Sequence, residues 1–182
     1  MRIGRYVLLP AVCLLMGCDM ADFSDEETGG DATAIVPTGH GKGTQKQPYT
    51  PDELLGDENL PYDEEVWMMG YVVGSTLTNM ENAVFDADEA YEHNILLSSD
   101  SLCADAADCV AVELTTSKMR QRFSLVRQPG RFRQFIVVRG TLGTYFSQAG
   151  IRKADAAYWI DGFDLSRIAP PPLDWDVVNK DF

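Results

Sequence analysis

Two stretches of this chain place a glycine in the middle of an apolar run: Met68-x-Gly70-x-Val72 and Val138-x-Gly140-x-Leu142. In both, the flanking apolar residues share one parity, so they line one face of a strand. Glycine weakens a strand and needs a structural reason to be there. The sharp coiling of a small closed barrel supplies one, because its corners turn at glycine kinks and bulges. This pair of motifs constrains the fold more than composition does. At 45% hydrophobic residues the chain is rich enough to bury a core, which excludes wholesale disorder and little else.

The remaining elements follow from pattern. Val66 to Ser75 reads as a first strand by its length and its β-branched and aromatic content. Asn94 to Ser99 is a second and Cys109 to Leu114 a third. Residues 117–127 read as a helix, with Met119, Phe123 and Val126 at i, i+4 and i+7 and with Pro129-Gly130 stopping it. Phe135 to Leu142, reaching toward Tyr145, is a fourth strand, and Ala157 to Ile160 a fifth. Ahead of them, Thr50-Pro51-Asp52-Glu53 carries an N-cap, a proline at the first helical position and a capping-box glutamate. Gly56 and Pro61 keep that helix short. Five coiled strands with one helix between the third and fourth match a mainly β, OB-fold-like Greek-key barrel. A seven-stranded sandwich would need more strands and a turn signal about every 8–12 residues.

The first 17 residues read as a secretory signal peptide: Arg2 and Arg5, then an apolar run from Tyr6 to Met16 that is too short to span a bilayer. Leu15-Met16-Gly17-Cys18 resembles a bacterial lipobox. That resemblance implies cleavage before Cys18, a diacylglyceryl group on its thiol and acylation of the new N-terminus, hence a membrane partner reached through lipid. Each buried methylene adds ~0.8 kcal/mol, so several chains anchor firmly. Residues 18–47 then read as a flexible acidic tether, 48–168 as the folded domain and 169–182 as a Pro-rich tail. Ser24-Asp25-Glu26-Glu27 resembles an acidic export signal of surface lipoproteins, whereas Asp19 resembles a signal for retention at the inner membrane; a solvated linker is the third reading. Gly39-His40-Gly41-Lys42-Gly43-Thr44 has the wrong spacing for a phosphate loop and belongs to the linker.

Several pieces together resemble a family of OB-fold domains of unknown function found in lipid-anchored bacterial envelope proteins. They are Pro48-Tyr49-Thr50, Val66 to Gly74, Asn94 to Leu97, Cys109 to Leu114, Pro129-Gly130, Val138-x-Gly140-x-Leu142 and Tyr145-Phe146, over about two thirds of the chain. The resemblance implies a fold and a place among lipid-anchored envelope proteins, which we expect to be at the outer membrane and displayed at the surface. It implies no activity. Arg133-Gln134 stands where the pattern leads us to expect a glycine-containing turn.

The chemistry-bearing residues are few. Cys103 and Cys109 are the thiols left in the folded domain, six apart in a small polar loop. Export puts them in an oxidising space, so we expect a disulfide, with two unpaired thiols as the alternative. Asp86, Asp88, Glu89 and Glu92 lack the glycine and spacing of an EF-hand and read as a solvated loop, and His93 has no partner histidine. No metal site, cofactor or catalytic motif emerges. The formal charge of −13 speaks against a general polyanion binder. Yet from Leu114 to Ala154 there is no acid and there are nine basic residues, Arg120, Arg131, Arg133 and Arg139 among them. These pair internally, bind an anionic ligand, or meet a protein partner. With Met68, Gly70 and Val72 facing inward, Trp67, Met69 and Tyr71 face outward, either as a stacking platform or beneath the 48–65 segment. Trp67, Tyr71, Arg120, Arg131, Arg133, Arg139 and Tyr145 are therefore the candidate ligand-binding residues. The favoured reading is a non-catalytic binding or scaffold lipoprotein for an envelope protein or a glycan. A single-stranded nucleic-acid binder is the first alternative and a hydrolase the second.

Overall fold

A computed structural model describes residues 32–168. The signal at 1–17, Cys18 and the tail at 169–182 lie outside the described residues. The first helix, α1 (Pro51–Gly56), starts as its capping box dictates: Thr50 Oγ1 accepts from Glu53 N at 3.4 Å, and Glu53 Oε2 accepts from Thr50 N at 2.8 Å. Five strands follow, β1 (Glu65–Ser75), β2 (Asn94–Ser98), β3 (Val110–Glu113), β4 (Phe135–Tyr145) and β5 (Gln148–Ile160), with α2 (Ser117–Phe123) between β3 and β4.

The strands form one sheet that closes on itself in the order β1-β2-β3-β5-β4, with β4 pairing back to β1. All pairs are antiparallel except β3 with β5. Closure gives every strand a neighbour on both sides and removes the exposed edges of an open sheet. Inward-facing residues of all five strands, including Met68, Val72, Ile95, Leu97, Val112, Ile136, Val138 and Ile151, make one core. Leu54 of α1 and Met119 and Phe123 of α2 join it. Burying a side chain of that size contributes about 1.5–3 kcal/mol, which far exceeds the propensity of a seven-residue helix.

Gly140 sits at a bulge in the pairing of β4 with β5. Arg139 pairs with Ala156 and Thr141 with Arg152, so the single residue Gly140 faces the stretch from Lys153 to Asp155. A Cβ there would lie 2.6 Å from Ile151 Cγ2 and 2.8 Å from the Arg152 carbonyl oxygen. Lys153 takes a left-handed φ of 52° inside this bulge. Gly140 thus marks a corner, as its place in the sequence suggests, whereas the pairing of β1 with β4 runs unbroken through Gly70 and the bulge of β1 falls between Val72 and Gly74.

Three expectations need correcting. The second helix ends at Phe123, not at 127: Ser124 turns to extended backbone, Leu125 becomes fully buried and Val126 is left 44% exposed. The fifth strand begins at Gln148, nine residues before Ala157, because Phe146 and Ser147 make a two-residue hairpin turn. The end of the expected tether is not free. Gly43 O accepts from Trp67 N at 2.8 Å, Tyr49 N donates to Trp67 O at 2.9 Å, and Tyr158 Oη donates to Ile35 O at 2.9 Å. Gly43 and Tyr49 thus meet the part of β1 that β2 does not reach, while Thr38, Gly41 and Lys42 fold back onto residues 46–48.

Candidate functional site

The outward row of β1 comes out with the parity read from the sequence, but it is covered. Trp67, Met69 and Tyr71 pack with Phe135, Val137 and Tyr158 in a second apolar cluster on the outside of the sheet. Phe163 stacks on Phe135 at 4.2 Å, and Leu165 and Ile168 close over the same cluster. Tyr71 Oη accepts from Leu165 N at 3.2 Å and donates to the Phe163 carbonyl at 3.4 Å. The cover is the segment after β5, with Ala32 at its margin, and not the 48–65 segment; nor is the row a bare platform. Arg139 lies over Trp67 at 5.6 Å and forks onto Asp155 through two bonds of 2.9 and 2.6 Å, which hold its proton more firmly than usual.

A third cluster occupies the outer face of β2 and β3. Val73, Leu96, Cys109 and Ala111 lie under Met80, Ala83 and Phe85 of the β1–β2 connection and under Tyr145 and Phe146. Tyr145 Oη donates to Asn94 Oδ1 at 2.7 Å, and Asn94 Nδ2 donates to the Thr76 carbonyl at 3.1 Å. Tyr145 therefore fastens the molecule's own loop.

Most of the basic stretch is engaged with its own chain. Arg120 donates to the carbonyls of Leu114 and Thr115, holding the entry to α2. Arg127 reaches Glu92 at 2.7 Å, and this hydrogen bond, above all, holds the Glu92 carboxyl below the usual range. Arg133 has a left-handed φ of 63°, the conformation for which a glycine was expected, and lies over Phe132 at 5.1 Å. The seven candidates thus do not converge on one place.

Two of them enter clefts: Arg120 lines one of about 380 Å³ with Glu92, Ser117, Gln121 and Arg127, where Arg127 is already paired with Glu92, and Arg131 lines another that has an aromatic wall. Arg131 lies across the Trp159 ring at 5.1 Å and meets Asp161 at 2.6 Å. Trp159 in turn packs against Phe123 of α2 at 5.9 Å. Together with Arg122, Gln128 and Tyr158 they line a cleft of about 380 Å³ between α2 and the end of β5. Two guanidinium groups, an amide and an aromatic wall can orient a planar anion. Trp159, Gln128 and Asp161 were missed as site residues. Trp159 reads in sequence only as part of a short strand, because its partner Phe123 is 36 positions away.

Residues 55–161 match the model of a family described as a domain of unknown function, DUF6359. The chain belongs to this family. No curated protein matches it. The DUF6359 span runs from Leu55 in α1 to Asp161, and so contains all five strands, α2 and the whole cleft.

Within the same DUF6359 span, Cys103 and Cys109 lie side by side with their sulfurs 3.7 Å apart and unbonded. Asp86 caps its own turn by accepting from Asp88 N at 2.8 Å, and His93 is exposed. Among the described residues no group of three or more His, Cys, Asp or Glu is placed to hold a metal ion, and no helix is long and apolar enough to cross a membrane.

Proposed function

We propose that this chain is a lipid-anchored protein of the bacterial envelope, attached to the outer membrane through Cys18 and displayed at the surface. Its DUF6359 domain is an OB-fold-like Greek-key barrel that serves as a non-catalytic binding or scaffold module. The lipobox-like Leu15-Met16-Gly17-Cys18 supports the anchor. A closed sheet of five strands with a helix between the third and fourth supports the fold. Thirteen residues lie between Cys18 and Ala32, which packs against the sheet. At full stretch they span about 50 Å, so the domain stays near the bilayer.

The cleft carries the binding reading. Arg131 is oriented by Trp159, and its partner Asp161 has a side chain 78% exposed. Such a surface pair is worth about 0–1 kcal/mol, so a better anion can displace it. A carboxylate of an acidic glycan fits the guanidinium fork, and the aromatic wall suits the apolar face of a sugar ring. The single-strand alternative lacks such support. The outer face of β2 and β3, where OB barrels take oligonucleotides, lies beneath Met80, Ala83 and Phe85.

Titration with oligogalacturonates, read by tryptophan fluorescence and calorimetry, tests the site. We expect binding that is at least tenfold weaker in Arg131→Ala, stronger in Asp161→Asn, and absent with neutral cello-oligosaccharides (about 1.4 kcal/mol per tenfold). Equal binding of acidic and neutral sugars, or none of either, overturns it. Cell fractionation tests the anchor: Cys18→Ser should move the protein out of the membrane fraction.

A further inference from the structure

We propose that Cys103 and Cys109 are an oxidisable dithiol in which Cys103 meets an incoming disulfide and Cys109 closes the bond. This inference does not depend on the ligand of the cleft or on the anchor. Its basis is placement. Both thiols point at one acceptor, the Asp105 carbonyl, at 3.4 Å from Cys103 Sγ and 3.2 Å from Cys109 Sγ. The backbone between them is held: Cys103 N donates to Asp100 O, Ala107 N to Asp105 Oδ1, and Cys109 N to Ala106 O. Gln148 Nε2 donates to Cys109 O from β5. The sulfurs are thus fixed at 3.7 Å, about 1.7 Å beyond a bond, a gap that a side-chain rotation and a small loop shift close.

The two sulfurs are not equivalent. Cys103 is half-buried and lines a cleft of about 360 Å³ with Asp52, Asp100, Asp105 and Asp108. Cys109 is fully buried at the head of β3, among Leu96, Ala111 and Phe85. Burial first, then the neighbouring Cys103 and Asp108, keeps its thiol protonated well above the usual range. An outside oxidant therefore reaches Cys103 first. The Cys103 thiolate attacks one sulfur of the external disulfide. That disulfide bond breaks, and its second sulfur leaves as a thiolate, which takes from water a proton in place of the one Cys103 gave up on ionising. Cys109 Sγ then attacks Cys103 Sγ as it gives up its proton; the bond from Cys103 Sγ to the external sulfur breaks, and that sulfur leaves as a thiolate and takes the proton. Two protein thiols are oxidised and one external disulfide is reduced to two thiols. The four carboxylates around the entry sulfur select the oxidant's charge: a cationic or neutral disulfide approaches more readily than an anionic one.

The experiment treats the folded full chain with cystamine or with oxidised glutathione and maps the products peptide by peptide, which also separates Cys13 and Cys18. Wild type should end with a Cys103–Cys109 cross-linked peptide and no lasting adduct. Cys109→Ser should keep one adduct on Cys103, and Cys103→Ser should stay unmodified at Cys109. Cystamine should react about tenfold faster than oxidised glutathione at low salt, with the ratio falling toward about twofold in high salt. Separate adducts on both cysteines of wild type, or equal labelling of the two variants, overturns the proposal. Iodoacetamide on wild type gives a check that needs no variant: Cys103 should be alkylated before Cys109, and the reverse order overturns it. Equal rates for the two disulfides overturn the role given to the carboxylates.

Discussion

Asn94 is 2% exposed, and its amide is satisfied on both sides, by the Tyr145 hydroxyl and by the carbonyls of Thr76 and Leu77. Because the hydroxyl is all that distinguishes tyrosine from phenylalanine, Tyr145→Phe keeps the stacking on Phe146 and removes one donor. A buried acceptor left without a partner costs about 1–3 kcal/mol. We expect that loss in chemical denaturation, together with faster amide hydrogen exchange across 77–91, the loop that Asn94 and Tyr145 fasten. Unchanged exchange there would show that the bond does not hold the loop. At this scale the sequence is informative about direction and silent about company. Strand periodicity is enough to turn Trp67 and Tyr71 outward, since side chains alternate strictly. That Phe163 and Leu165 would cover them depends on contacts 90 and more positions away, which no local pattern encodes.

The β4–β5 hairpin shows the same division among elements. Type I′ turns need a positive φ at both central positions, and Asn-Gly is the pair that signals them. Here Phe146 has φ 53° and Ser147 has φ 71°, so the turn is made by residues that give no warning of it. Arg152, Lys153 and Asp155 then break the alternation of β5 at its bulge, and only the last four residues, Ala157 to Ile160, read as a strand. By contrast, α1 was legible because its capping box is a purely local device, and β1 and β4 because each is a long run rich in β-branched and aromatic residues. The unused propensity is recoverable. Ser147 is exposed, and a left-handed non-glycine residue costs about 1–2 kcal/mol, against which glycine loses about 0.5–1 in chain entropy. Ser147→Gly should therefore raise stability by about 0.5–1 kcal/mol, a shift of about 3 °C in a melt. A lower melting temperature would mean that the turn is held by something other than its backbone conformation.

Across the whole molecule, the described chain enters and leaves on one side. Ala32 packs on the same outer cluster as Phe163, Leu165 and Ile168, and Tyr158, which belongs to that cluster, bonds the Ile35 carbonyl. The two end segments thus act as straps on a sheet that is already closed, and tyrosines sit under or beside them. Burial raises the phenol of Tyr158 above its ordinary value of about 10, as it does for Tyr145 and for Tyr49, where Asp57, Glu53 and Glu64 add to the effect. A neutral form favoured in the folded state means that the unfolded chain loses its phenolic protons first as pH rises. The stabilisation is then complete below pH 10 and drains away as pH climbs from there through the raised folded values. New phenolate charges also land on a chain that already carries −13, so self-repulsion acts in the same direction. Denaturation midpoints should be level between pH 8 and about 9.5 and fall steeply above about 10. Tyr158→Phe should be less stable than wild type at pH 8, because Ile35 loses its donor, and the gap should narrow as pH rises through the region where the wild-type phenol is forced to ionise. A gap that stays constant to pH 11 would show that Tyr158 titrates as it does in the unfolded chain, and that the strap over it is open in solution.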